Sequence, residues 1–100
     1  MDWVLEARRE LEKGQRVKVR PRGSSMRGRI EDGQLVTLVP AQGLPVAVND
    51  AVLVRVQDHY LLHLVRKIRR NRLLIGNALG KLNGWVKRED VLGKVVEVGE

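Results

Sequence analysis

Apolar residues recur with two different periods along this chain. Near the start, Val4, Ala7 and Leu11 fall at i, i+3 and i+7 with Trp3 beside them, the spacing that lines one face of an α-helix. Asp2 stands where a side-chain oxygen can accept a free N–H of the first turn, and Gly14 where a left-handed residue ends a helix. The pattern predicts one amphipathic helix over about residues 3–13. From Val17 the period drops to two. Val17 to Arg20 alternates up to Pro21, Leu35 to Val39 is an apolar run ended by Pro40, and Ala41 to Asn49, with Gly43 and Pro45, reads as a loop. Asp50 to Gln57 and Tyr60 to Ile68 are β-rich runs separated by Asp58-His59, a hairpin signal. Leu73 to Ile75, a run from Gly84 through Val86, and Val91 to Val98 with Gly93 as a bulge complete the set. One helix followed by about seven short strands predicts a single mainly β domain over 1–100. Its expected form is a small coiled antiparallel sheet, barrel-like in closure, with residues 1–14 as its N-terminal helix.

Composition narrows the chemistry. There is no Phe, a single Tyr, two Trp and no Cys, so the core is aliphatic. Disulfides, thiolate metal sites and a cysteine nucleophile are excluded. No apolar run approaches the roughly 20 residues of a membrane span, and the acidic, amphipathic N-terminal segment lacks the pattern of a secretory signal. The expectation is a soluble, cytoplasmic protein. The net charge of +7, with arginine outnumbering lysine, favours acidic partners or a solvated basic surface.

Two places carry candidate chemistry. The segment from Arg22 to Gly33 reads RGSSMRGRIEDG. Its glycine-flanked serines follow a strand, where a loop can expose a hydroxyl and turn consecutive N–H groups outward. A serine hydroxyl attacks only with a base to take its proton and donors to hold the oxyanion. His63 interrupts an otherwise apolar or aromatic β-run, Tyr60 to Val65, and a buried imidazole there needs a hydrogen-bond partner. The strand run that holds His63 contains no Asp or Glu to complete a zinc triad with His59, and the serine loop lacks the Lys-Ser/Thr ending of a phosphate-binding loop. No metal or other cofactor is implied.

Gly23-Ser24-Ser25-Met26 resembles the G-x-S-M box of the serine peptidases that include signal peptidases and LexA-type self-cleaving repressors. Ile30 and Asp32-Gly33 match the apolar residue and D-G turn that follow in that family. Val48 to Val54 is similar to its V-x-x-G-D-x-V-x-V string, with Asn-Asp for Gly-Asp, and Val91 to Val96 to its closing V-x-G-x-V-V strand. The resemblance covers residues 15–98 and implies a LexA C-terminal/signal-peptidase-like sheet. It implies a serine endopeptidase in which Ser25, before Met26, is the nucleophile. His63-Leu64-Val65-Arg66-Lys67-Ile68 resembles the histidine-type base strand of the endoplasmic-reticulum and archaeal enzymes. It makes His63 the base and Lys67, four residues on, the alternative. A neutral imidazole near pH 7 needs less perturbation than a lysine, which must lose about three pKa units.

The string also departs from the family. Where the pattern has G-D-N-N and further aspartates, Asn77 stands at the first Asp position and Asn83 near the later one. Asn77 is then the expected ring-orienting residue, without the charge of an aspartate. Gly23 replaces a serine that assists the oxyanion hole, which leaves backbone donors, chiefly the N–H of Ser25. Ser24, Met26 and Arg27 are the expected oxyanion and binding residues. The proline after the S-M-x string is missing, and neither a membrane anchor nor a helix-turn-helix is expected with the domain.

The expected ligand is an extended peptide or protein segment pairing with a strand edge. The alternative is an inactive module on the same fold that binds a peptide, a protein or nucleic acid. Arg66 to Arg72 holds five cations in seven residues and could contact a few phosphates, but with few aromatics to stack bases. The open edges of so small a sheet also allow pairing with a second copy of the chain.

Overall fold

The computed structural model describes residues 2–100 and shows one helix and seven strands. Helix α1 spans Trp3–Glu12. Asp2 caps it, its carboxylate accepting from the Val4 N–H at 2.9 Å. At the other end Gly14 takes φ +80°, and its N–H and that of Gln15 donate to the carbonyls of Leu11 and Glu10, the paired bonds of a Schellman cap. Both ends lie where the sequence pattern puts them.

The strands are β1 (Val17–Val19), β2 (Val36–Pro40), β3 (Ala51–Val56), β4 (His59–Arg69), β5 (Arg72–Gly76), β6 (Leu82–Lys87) and β7 (Val91–Val98). They form one antiparallel sheet in the order β1-β2-β7-β3-β4-β5-β6. The β3–β4 turn is Gln57-Asp58, not Asp58-His59. Both residues have positive φ and Val56 pairs with His59, the geometry of a two-residue type I′ hairpin.

Apolar clusters pack on both faces of the sheet. Ala7 and Leu11 of α1 pack with Val36, Leu38, Leu53 and Leu62 on one face. Val54, Val65, Leu73, Ile75 and Val86 pack together on the other. Central β3 contributes to both clusters, which is why it reads as a continuous Ala-Val-Leu-Val run instead of an alternating one. The β3–β6 half coils until β6 touches β3, with two strands between them in the sheet.

The sheet does not close, and the barrel-like expectation is corrected there: β1 and β6 are free edges. β1 is only three residues long and stops before Pro21, which has no N–H to extend a ladder. Instead of a further strand, α1 and the side chains of Met26 and Ile30 complete the cluster on that side. Gly93 lies beside a register shift between β7 and β3. A Cβ there would stand 2.7 Å from Leu11 Cδ1, so this glycine lets the helix lie close on the sheet.

Candidate active site

The serine segment is a closed loop. The Gly33 N–H donates to the Pro21 carbonyl at 2.9 Å, and Asp32 Oδ1 accepts from the Gly23 N–H at 2.8 Å and Arg22 Nε at 3.1 Å. Within it, the Met26 carbonyl accepts from the N–H groups of Arg29 and Ile30. Met26 and Ile30 are buried, while Ser24, Ser25 and Arg27 stay exposed. Met26 thus anchors the loop. Gly23, at φ +112°, occupies a conformation nearly closed to other residues, just before the serines.

Opposite this loop runs the first half of β4. A cleft of about 160 Å³ opens between them, and both Ser25 and His63 line it. Trp3, Met26, Ile30 and Tyr60 form its apolar walls, and the guanidinium of Arg8 stacks on the Tyr60 ring at 4.1 Å. A wider groove of about 840 Å³ lies between the end of α1 and the Pro40–Leu44 segment, but neither Ser25 nor His63 reaches it.

His63 is 7% exposed, and its Nδ1 lies 2.9 Å from Asn83 Oδ1. An amide oxygen only accepts, so the proton sits on Nδ1 and the Nε2 lone pair is free. Burial pushes the His63 pKa below its usual value; the Asn83 bond opposes that shift and the nearby Lys81 charge adds to it. The ring is therefore neutral at pH 7, as a general base must be.

Asn77 does not orient the ring. Its side-chain oxygen accepts from the N–H groups of Leu79 and Lys81, both at 2.9 Å, and holds the β5–β6 turn. That turn is tied to the serine loop, because the Ala78 N–H donates to the Ser25 carbonyl at 3.0 Å. Asn83, noted in the sequence only as near a later Asp position, is the histidine's partner. The register skips it, since Ile75 pairs with Gly84 and Gly76 with Leu82. A bulged residue is aimed away from its strand's alternation, and the Asn83-Gly84 dipeptide, with Gly84 at φ +126°, is the signal that could have marked it.

Lys67 lies past another register shift in β4, between Val65 and Lys67. It is exposed and not among the residues lining the cleft. At the serine turn, the Gly23 N–H is taken by Asp32 and the Arg27 N–H by the Ser24 carbonyl. Among the described residues, the N–H groups of Ser24, Ser25 and Met26 meet no acceptor, which leaves adjacent backbone donors at the serine turn.

Comparison with family models, curated proteins and solved structures returns no match to this chain. The site is therefore read on its own geometry. Among the described residues, no helix is long and apolar enough to cross a membrane.

Proposed function

We propose that this chain is a serine peptidase-like domain that cleaves a peptide bond with Ser25 as nucleophile and His63 as general base. The observation that carries the reading is that a buried histidine, its Nδ1 held by Asn83, lines the same cleft as Ser25. Ser25 Oγ attacks the scissile carbonyl while His63 Nε2 takes the hydroxyl proton. The N–H groups of Ser25 and Met26 receive the oxyanion. His63 then returns the proton to the departing amine, and water, deprotonated by the same ring, hydrolyses the acyl-enzyme.

The substrate in this reading is an extended segment. β5 pairs with β4 only from Leu64 onward, so Tyr60 to His63 have β3 on one side and no strand on the other. A peptide can add to that edge. The cleft is far below the roughly 300–1,000 Å³ of a small-molecule pocket, and its apolar walls suit a single apolar side chain. Kinship with the signal peptidase and LexA-type peptidases and a cytoplasmic setting are parts of the same proposal. They are supported by the GSSM loop, the HLVRKI strand and the cysteine-free composition.

A second reading, an inactive peptide-binding module, is favoured by one feature. Asn83 carries no charge to balance an imidazolium, and Lys81 opposes it. Hydrolysis of a mixed peptide library by the purified chain, lost in Ser25→Ala, supports the peptidase. Peptide binding without hydrolysis, unchanged in Ser25→Ala, supports the module.

A further inference from the structure

The basic run that looks like a solvated turn in the sequence becomes, in the fold, one wall of a defined surface. β4, β5 and β6 place Arg69 opposite Arg72 and Arg72 opposite Lys87. One row further in, Lys67 pairs with Leu74 and Leu74 with Trp85. With strands about 4.8 Å apart, the cations of the outer row lie within about 10 Å of one another. A groove of about 710 Å³ is lined by Arg69, Arg70, Asn71, Arg72, Trp85 and Lys87. It stands at the opposite end of β4 from the serine cleft: Arg69 lies six positions on from His63, about 20 Å of strand.

Like charges placed directly across a sheet repel. Among the described residues, no carboxylate comes within ion-pair distance of Arg69, Arg70, Arg72 or Lys87. The neighbouring acids are occupied elsewhere: Glu89 accepts from Asn71 Nδ2 and Asp90 from the Lys87 N–H. The charge on this face is left for an external anion. Trp85 adds a second kind of contact. The residue is 42% exposed, and the Arg69 guanidinium stands 5.8 Å from the ring centroid, at the outer limit of a cation–π contact. The indole is open to a further planar partner.

We propose that this β4–β5–β6 face binds single-stranded nucleic acid, phosphates meeting Arg69, Arg72 and Lys87 while an unstacked base lies on Trp85. Forked guanidinium groups match phosphate oxygens, and base–aromatic stacking beside a cationic track is how single strands are held. A duplex offers no free base face to the indole. A membrane surface is disfavoured because the groove itself is lined by five polar or charged residues and one indole; the exposed Ile68, Leu79 and Leu82 lie outside it. The strand bearing Trp85 is distant in sequence from the basic run, which is why the stacking residue was not visible there. This site stands independently of the peptidase reading.

The test is fluorescence anisotropy of the full chain with a short labelled oligouridylate, in parallel with the matching duplex, polyglutamate and phosphatidylserine vesicles. Three or four phosphate contacts predict that log K falls against log salt with a slope of about −2 to −3. Arg69→Glu with Arg72→Glu should weaken binding more than about tenfold and flatten that slope. Trp85→Ala should weaken it about fivefold or more at unchanged slope, with Trp85→Phe restoring it. Arg69, Arg72 and Trp85 are exposed, and circular dichroism checks that the variants fold. No oligouridylate binding at low salt overturns the proposal. So do binding indifferent to Trp85→Ala, equal capture of polyglutamate or duplex, and preferential uptake by the vesicles.

Discussion

Asn83 holds the imidazole of His63 through a 2.9 Å bond from Nδ1 to its amide oxygen, and a bulge in β6 makes this possible by freeing Asn83 from the strand's pairing. The pair resembles the histidine and its orienting partner in a triad, with an amide in place of a carboxylate. An amide fixes the tautomer but supplies no charge as the proton arrives. On the serine-protease template that exchange costs about 10⁴-fold in turnover. Asn83→Asp should therefore raise peptide hydrolysis by at least about tenfold and move the His63 titration upward, followed by NMR of the ring protons. Asn83→Ala should lower activity without restoring it at any pH.

Asn77 and Asn83 separate cleanly by experiment. Asn77→Ala removes the acceptor for two backbone N–H groups of the β5–β6 turn and should cost about 1–3 kcal/mol in urea unfolding. The His63 pKa should move less in Asn77→Ala than in Asn83→Ala.

Folding stability should depend on the same ring. Unfolded, His63 binds its proton near pH 6.5; folded, it binds only at lower pH because burial disfavours the charged form. As pH falls below about 6.5, the unfolded chain takes up the proton first and stability drops, until the pH passes the lowered folded value. Urea unfolding midpoints should show this loss in the wild type and less of it in His63→Gln. The acid limb of kcat/KM should fall below pH 6.5 for the same reason.

Gly93→Ala tests how the helix is seated. The added Cβ meets Leu11 Cδ1 at 2.7 Å and the Val39 carbonyl at 3.2 Å, so α1 must shift or Leu11 must repack. The expected loss is about 1–3 kcal/mol, read as a lowered Tm, with no change in the His63 titration.

Most of this fold was legible because local signals and burial agree. The i, i+3, i+7 stripe of Val4, Ala7 and Leu11 lies between a capping Asp2 and a left-handed Gly14. A proline or glycine lies at or within two residues of one end of β1, β2, β5, β6 and β7. Closure was not legible, because it depends on how far the sheet coils and on what covers β1. The two chemical side chains were legible, since a glycine-flanked serine and a polar ring in an apolar run both break their local pattern. Their partner was not. Asn77 and Asn83 are equal in type and six residues apart, and only the register of β5 with β6 decides which one meets the ring. Trp85 was hidden for the same reason: cross-strand pairing, not sequence proximity, puts it beside Arg69 and Arg72.

The central claim is that His63 activates Ser25, and the rate of phosphonylation measures it most directly. A fluorophosphonate probe followed by peptide mass spectrometry should give one adduct, on Ser25, formed faster as pH rises through the His63 titration. General-base catalysis contributes about 10²–10⁴-fold, so His63→Gln should slow the adduct by about 100-fold or more, and Ser25→Ala should abolish it. No adduct on Ser25, or an adduct formed as fast in His63→Gln as in the wild type, would contradict the account.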